Sequence, residues 1–371
     1  MSFEKIKGKL GFGIMRLKMI EDKVDIEETS KMIDRFLESG FNYFDTAHGY
    51  INGLSELALR ECLTSRYPRE SYVLADKISA WMFEKKEDIL PMFQDELECC
   101  GVDYFDFYLF HCMNHTNYPK YKDTGAFDVI RDLKAQGKIK HIGMSFHDTP
   151  EYLDMILTEQ PWIEFVQLQI NYLDYDDPAV QSQRIYEVAE KHGKKVIVME
   201  PVKGGQLAVL PDKAAAVFDL SQGQSHASYA LRYAASFPNV FMVLSGMGTV
   251  EQMDDNVKTF SNFVPFSEQE YEAAARAREI IREVRQVPCT KCNYCADVCP
   301  LKLPISSSFF AYNSVLAAKK TKPQAKEDLE SNATDIPNCL GCGKCETVCP
   351  QHIEIREHLA KLTKMFRLDK K

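Results

Sequence analysis

The sequence predicts an α/β fold, a closed (β/α)8 TIM barrel followed by a smaller cysteine-rich module, and three observations carry that prediction. Between Lys9 and Phe260, eight apolar segments of strand length alternate with eight amphipathic segments of helix length. A closed parallel barrel takes about 250 residues to build such a pattern. Several of the strand-like segments stop abruptly at polar residues, as strand ends facing a barrel mouth do. Finally, eight of the twelve cysteines fall after residue 288, in two groups of identical spacing. An open, doubly wound sheet is the competing arrangement of the same alternation.

The units follow in order. Lys9 to Leu17 is a short apolar strand broken by glycines. Asp25 is an N-cap with Glu28 three residues on, opening a helix that carries Ile26, Met32, Ile33, Phe36 and Leu37 and closes at Gly40. Strand Tyr43 to Ala47 precedes helix Leu54 to Leu63, strand Tyr72 to Lys77 precedes helix Lys86 to Cys99, and strand Phe105 to His111 precedes helix Gly125 to Ala135. Strand Lys140 to Ser145 is followed by a helix from Pro150, and strand Phe165 to Ile170 by helix Ala179 to His192. Strand Val196 to Pro201 leads to a helix around Ser225 to Phe237, and strand Val240 to Ser245 to one from Val250. Helix Glu268 to Val284 then leaves the barrel. The expected division is a barrel over 1–265, a helical linker over 266–286 and the cysteine module over 287–371.

Composition narrows the class of function. The longest apolar runs fall short of the ~18 residues that a membrane-spanning helix needs. The N-terminal residues lack the apolar block of a signal peptide, so a cytoplasmic location is expected. A formal net charge of -9 argues against non-specific nucleic-acid binding. Twelve cysteines in such a chain call for a use other than disulfides.

Four polar residues stand at three successive strand ends: Asp45 and Tyr50 in N-Y-F-D-T-A-H-G-Y, Lys77 after L-A-D, and His111 after Y-L-F. A tyrosine at its usual pKa of about 10 is a poor proton donor near neutral pH. A neighbouring ammonium favours its phenolate, and a carboxylate paired with that ammonium fixes it and keeps it charged when buried. A histidine then orients a carbonyl as the tyrosine protonates it. Together the four suit a carbonyl reducer or alcohol oxidiser, although Asp45 alone reads as a turn acid, Lys77 as a surface lysine and His111 as a core histidine.

The same residues resemble the aldo-keto reductase superfamily over roughly 6–262. That resemblance implies a (β/α)8 barrel, with Tyr50 as general acid/base, Lys77 and Asp45 tuning it, and His111 orienting a small-molecule carbonyl or alcohol substrate. It also implies NADP or NAD as cofactor. Ser145 and Gln167 stand where the family holds the nicotinamide carboxamide, and Met199 where it often stacks an aromatic ring on the nicotinamide. Phe146 departs from the usual Ser-Asn pair. Lys203 with its two glycines, and Gly246 to Thr249 leading into Gln252 and Asn256, are late-strand loops of the kind that bind a pyrophosphate. No Lys or Arg lies between Gly246 and Asn256, and Gln252 replaces a common Arg, which weakens the usual preference for NADPH. Trp81 to Phe83 and Met113 to Tyr121 are loops that either line an apolar substrate pocket or cover the rim.

Cys289, Cys292, Cys295 and Cys299 form C-x2-C-x2-C-x3-C-P, repeated without change by Cys339, Cys342, Cys345 and Cys349. Three thiolates within seven residues wrap one face of a cubane, and a displaced fourth usually ligates the other cluster. Zinc sites or a disulfide framework are the competing uses. The segment resembles dicluster [4Fe-4S] ferredoxin domains. On that pattern Cys289, Cys292, Cys295 and Cys349 hold one cluster, and Cys339, Cys342, Cys345 and Cys299 the other. The long segment from Leu301 to Asn338 suggests an α-helical form, and exposed clusters suggest an anaerobic host.

The leading functional expectation is an oxidoreductase that interconverts a carbonyl and an alcohol by hydride transfer, with two clusters for electron transfer to a ferredoxin or flavoprotein partner. The alternatives are a cluster-driven reductase independent of nicotinamide, a redox-sensing or interaction module on an inactive barrel, and clusters that are purely structural. A hydride carries two electrons and a cluster one, and no flavin motif is recognisable.

Overall fold

The computed structural model describes residues 3–368 except 222, 285, 317–319 and 333–334. The chain divides into two compact units. The first comprises Met1–Asp177, Gln181–Pro201 and Ser228–Phe266, and the second Pro178–Val180, Val202–Ala227 and Ser267–Lys371.

The first unit is a closed barrel of eight parallel strands: β1 (Leu10–Gly13), β2 (Tyr43–Asp45), β3 (Val73–Ser79), β4 (Phe105–Met113), β5 (Ile139–Phe146), β6 (Phe165–Gln169), β7 (Lys195–Met199) and β8 (Val240–Ser245). Each strand pairs with its sequence neighbours, and β1 closes the ring by pairing with both β2 and β8. The open doubly wound sheet is thereby excluded. Every residue of β3 and β4 is buried, which explains their continuous apolar character: strands covered on both faces have no solvent side to alternate with.

Side chains alternate along a strand, so one inward residue fixes the rest. Tyr43, Val73, Ala75, Phe107, Leu109, Phe165, Ile197, Met242 and Leu244 form the inner core, against which Phe3 packs. Counting by twos from Tyr43, Ala75 and Leu109 brings Asp45, Lys77, Ser79 and His111 to that same inner face. The pairing register puts Lys77 opposite Leu109 and Ser79 opposite His111. Packing is close at β5, where a Cβ on Gly143 would lie 2.4 Å from the Phe165 ring. Phe165 is fully buried. Gly143→Ala is therefore expected to destabilise the barrel by about 1–3 kcal/mol through overpacking, read as a lowered urea midpoint with an unchanged slope; an unchanged midpoint would contradict this packing.

Helix Ile26–Glu38 begins as read, with Asp25 accepting from the Glu28 amide and Thr29, Met32, Ile33 and Phe36 buried at helical spacing. Elements near the barrel mouth differ from the sequence reading. A hairpin of Met19–Ile20 and Lys23–Val24 lies within the first βα connection, its strands too short for a periodic signal. Residues read as loop after His111 contain helix Asn117–Asp123, which buries Tyr118 and Tyr121.

The second unit is helical after residue 286 among the described residues, with helices Ile305–Leu316, Lys322–Asn332 and Ile355–Phe366 around a core that includes Val287, Phe309, Ile336, Leu359 and Phe366. The repeated cysteine spacing is a repeated backbone. Lys291 and Asn293 have positive φ, as do Gly341 and Gly343 at the matching positions, and so do Lys302 and His352. Short helices Tyr294–Asp297 and Lys344–Thr347 follow at matching places.

Candidate active site

At the inner mouth of the barrel, Lys77 is fully buried, and its Nζ donates to Asp45 Oδ1 at 2.7 Å and to the Thr46 carbonyl at 2.5 Å. The same ammonium lies 4.8 Å from the centre of the Tyr50 ring. The Tyr50 ring meets His111 edge-on at 5.7 Å, and the Trp81 ring lies tilted against His111 at 5.0 Å. His111 Nδ1 is 2.8 Å from Ser79 Oγ. The structure thus brings together all four residues that the sequence singled out.

The electrostatics are those of a buried ion pair. Burial alone would lower the Lys77 ammonium, but Asp45, with Tyr50 and Asp76, overcomes it and pushes Lys77 up to about 12. Burial raises the Asp45 carboxyl, against the pull of Lys77. Burial, reinforced by the Lys77 charge, holds His111 well below the usual histidine range, so its imidazole is neutral. In the tautomer that carries its proton on Nε2, the neutral ring accepts the Ser79 Oγ–H at Nδ1.

Three supporting groups escaped the sequence reading. Ser79 had a usable signal, since it stands two residues beyond Lys77 and shares its face. The Tyr121 hydroxyl ties the ends of β3 and β4, accepting from the Ala80 amide at 3.0 Å and lying 2.7 Å from the Ile78 and 2.9 Å from the His111 carbonyl oxygen. On the outer face of β3, Asp76 joins Glu56, Glu96 and Cys100 in a fully buried group. Its edge reaches outward through His48, whose Nδ1 is 2.7 Å from Glu56 Oε2.

The late-strand residues are arranged unequally. Ser145 Oγ accepts from the Cys112 amide at 2.8 Å, which leaves its own proton to donate. Gln167 Nε2 approaches Met199 Sδ at 3.6 Å, and Gln167 Oε1 is buried with no partner among the described residues. A carboxamide NH2 group is what such an oxygen lacks, so this pair fits a nicotinamide amide. Thr249 caps helix Val250–Ser261, Gln252 Oε1 accepts from the Gly248 amide at 2.8 Å, and Asn256 Nδ2 donates to Ser245 Oγ at 2.7 Å. Gly246 lies against Arg16, where a Cβ would stand 3.1 Å from that side chain. At the same helix start, the Val250 amide donates to Glu28 Oε1 at 2.9 Å. Lys203 is turned to Gln351 within the second unit.

In the second unit the cysteines line two small cavities. Cys289, Cys292, Cys295 and Cys349 surround one, and Cys339, Cys342, Cys345 and Cys299 the other. In each, three cysteines of one motif meet the last cysteine of the other. Four soft sulfur donors around a cavity are the donor set of an iron–sulfur cluster.

Residues 9–279 match the aldo/keto reductase family, and residues 286–353 match the 4Fe-4S dicluster domain. Among curated proteins, an aldo-keto reductase of Mycolicibacterium smegmatis is 28% identical over 216 residues, 58% of this chain and 73% of its own. L-galactose dehydrogenase of Arabidopsis thaliana is 24% identical over 304 residues, 75% of this chain and 89% of its own. Among solved structures, the holo form of an aldo-keto reductase from Bacillus halodurans superposes with a TM-score of 0.60 at 24% identity, over 72% of this chain and 91% of that one. An aldo-keto reductase from Klebsiella pneumoniae in complex with NADPH gives 0.59 at 18%, over 72% and 90%.

Proposed function

We propose that this chain, which belongs to the aldo-keto reductase family, interconverts a carbonyl and an alcohol with a nicotinamide dinucleotide, while its cysteine module carries two [4Fe-4S] clusters that exchange single electrons with a partner protein. The observation that carries the reading is the buried Lys77–Asp45 pair beside Tyr50 and His111. When bound, the reduced nicotinamide supplies the hydride. Tyr50 gives its phenolic proton to the carbonyl oxygen, and the Lys77 ammonium offsets the charge left on the phenolate. Asp45 holds Lys77 charged and in place. Neutral His111 donates a hydrogen bond to the same oxygen and so orients the carbonyl, while Ser79 fixes its ring. Solvent returns the proton to Tyr50. Ser145 and Gln167 hold the nicotinamide amide, with Met199 beside them, and Gly246, Thr249, Gln252 and Asn256 shape the loop that receives the rest of the nucleotide.

The nucleotide is NADH in this reading. Glu28 already accepts from the Val250 amide at the helix start, and Glu251 adjoins it, so a 2'-phosphate would meet negative charge and no basic residue of that loop. The test is an anaerobic titration of the iron-loaded protein with NADH and NADPH, following nucleotide fluorescence, aldehyde-dependent oxidation and the EPR signal. NADH is expected to bind at least about tenfold more tightly, and an added aldehyde to be consumed in proportion to NADH. Equal affinity for the two nucleotides would overturn the cofactor choice. Nucleotide binding without oxidation by any of a panel of aldehydes and ketones would overturn the enzymatic reading.

A further inference from the structure

Within the second unit, the loop that follows β7 and the end of helix Glu268–Glu283 meet the cysteine module around a cavity of about 340 Å3. That is within the size range of small-molecule sites. Leu207, Ile281 and Phe310 give it an apolar wall, and Gln206 and Gln286 contribute amide groups. Two of its apolar side chains are held out toward solvent, Val209 at 65% and Phe310 at 59% exposed. Exposed apolar area around a cavity is unfavourable, and a bound ring would cover it. Lys291 lines the same cavity, its Nζ 3.4 Å from the centre of the Phe310 ring. At Gly205 a Cβ would meet nothing within 4 Å, so the wall there is bare backbone. Cys289 and Ser306 line both this cavity and the one enclosed by Cys289, Cys292, Cys295 and Cys349. The two cavities therefore share a wall.

We propose that this cavity binds flavin mononucleotide, which exchanges electrons with the iron–sulfur site on the other side of Cys289. The inference rests on the reading of the cysteines as cluster ligands. Three features of the lining select the ligand. The apolar wall of Leu207, Ile281 and Phe310 suits a flat, largely apolar ring. Gln206 Nε2 donates to the Cys289 carbonyl at 2.8 Å, which leaves its Oε1 to accept from a ring N–H, as the polar edge of a flavin offers. The Lys291 ammonium suits a phosphate.

The electron count favours the same ligand. Clusters pass electrons singly, whereas a hydride carries two, and a flavin accepts them one at a time and holds both. Two electrons, delivered to the clusters by a one-electron donor protein, pass in turn to the oxidised flavin. With two protons from water it becomes the dihydroflavin, and the clusters return to their oxidised state. The pair then leaves as one hydride, with one proton released to solvent. Hydride is the unit in which a nicotinamide is reduced.

The test is an anaerobic titration of the iron-loaded full chain with flavin mononucleotide and with riboflavin, read by flavin fluorescence. The mononucleotide is expected to bind about tenfold more tightly than riboflavin, and to stay bound in excess NAD+. Phe310→Ala is expected to weaken its binding about tenfold. Ser314→Trp places a large ring in the cavity and abolishes binding, and Lys291→Met removes the preference over riboflavin, each with full iron content. When the flavin is added to chain whose clusters have been reduced with dithionite and desalted, its absorbance bleaches as cluster absorbance recovers. Full iron loading without flavin binding, displacement by NAD+, or binding that neither Phe310→Ala nor Ser314→Trp weakens would overturn the proposal. So would bound flavin that stays oxidised beside reduced clusters. A wild-type chain that takes up no iron–sulfur cluster would instead refute the reading of the cysteines, and this proposal with it.

Discussion

Carbonyl reduction by the Tyr50→Phe protein is expected to fall about 10³-fold, within the range for loss of a positioned acid, while iron content and nucleotide binding stay at wild-type levels. The phenyl ring keeps the packing against His111 and the contact with Lys77. The hydroxyl that carries the transferable proton is lost. The drop should therefore appear in kcat with little change in KM, because the substrate is held by contacts that remain. Steady-state kinetics with the best aldehyde of a panel, in parallel with cluster absorbance, make the measurement. A Tyr50→Phe enzyme that retained a tenth of wild-type kcat would remove Tyr50 from the proton transfer and leave water or His111 as the source. Loss of activity with loss of iron would point to damage in the second unit instead.

The second large effect concerns stability against pH and originates behind the active site, in the buried acids on the outer face of β3. Burial pushes the Glu56 carboxyl up to about 8, with the charge of Asp95 adding to it against a hydrogen bond with Asp76. Burial likewise raises Asp76 and Glu96 well above the usual carboxylate range. The folded chain thus keeps protons that the unfolded chain releases above about pH 4.5, its ordinary glutamate value. By linkage, that protonation stabilises the fold fully at low pH, and the stabilisation is lost as pH rises through about 8. Each pH unit over which one such proton difference persists costs about 1.4 kcal/mol. Glu56→Gln keeps an oxygen for His48 and removes the titration. It is expected to match wild type near pH 5 and to exceed it at pH 8 by about 1–3 kcal/mol. Both tryptophans, Trp81 and Trp162, lie in the first unit, so their fluorescence during urea unfolding reports the barrel alone. Parallel pH profiles for the two proteins would show that Glu56 is not the titrating group.

Much of the site was legible because strand period and chemistry coincide. Asp45, Lys77 and His111 are polar residues at the ends of apolar runs, where a polar side chain is unfavourable unless a barrel mouth receives it. What the runs could not display was the partner of each group. Ser79 and Thr46 look like ordinary strand-end residues until register sets Ser79 beside His111 and the Thr46 carbonyl within reach of Lys77. Tyr121 was hidden for another reason: its helix is short, and its value lies in one hydroxyl that reaches two strand ends. The acids behind β3 carry no local signal, since neighbouring residues do not reveal that Glu56, Asp76 and Glu96 lose their water together.

The sequence by itself determined the eightfold strand–helix alternation, the four catalytic candidates and the repeated cysteine spacing, because each depends on local period or on residue chemistry at fixed separation. The tertiary structure alone decided three further matters: that Ser79 stands beside His111, that Glu56, Asp76 and Glu96 are buried together, and that Lys203 turns toward Gln351. Pairing and burial are relations between residues far apart in the chain. Strand register and desolvation fix them, and neither is set by neighbours in sequence.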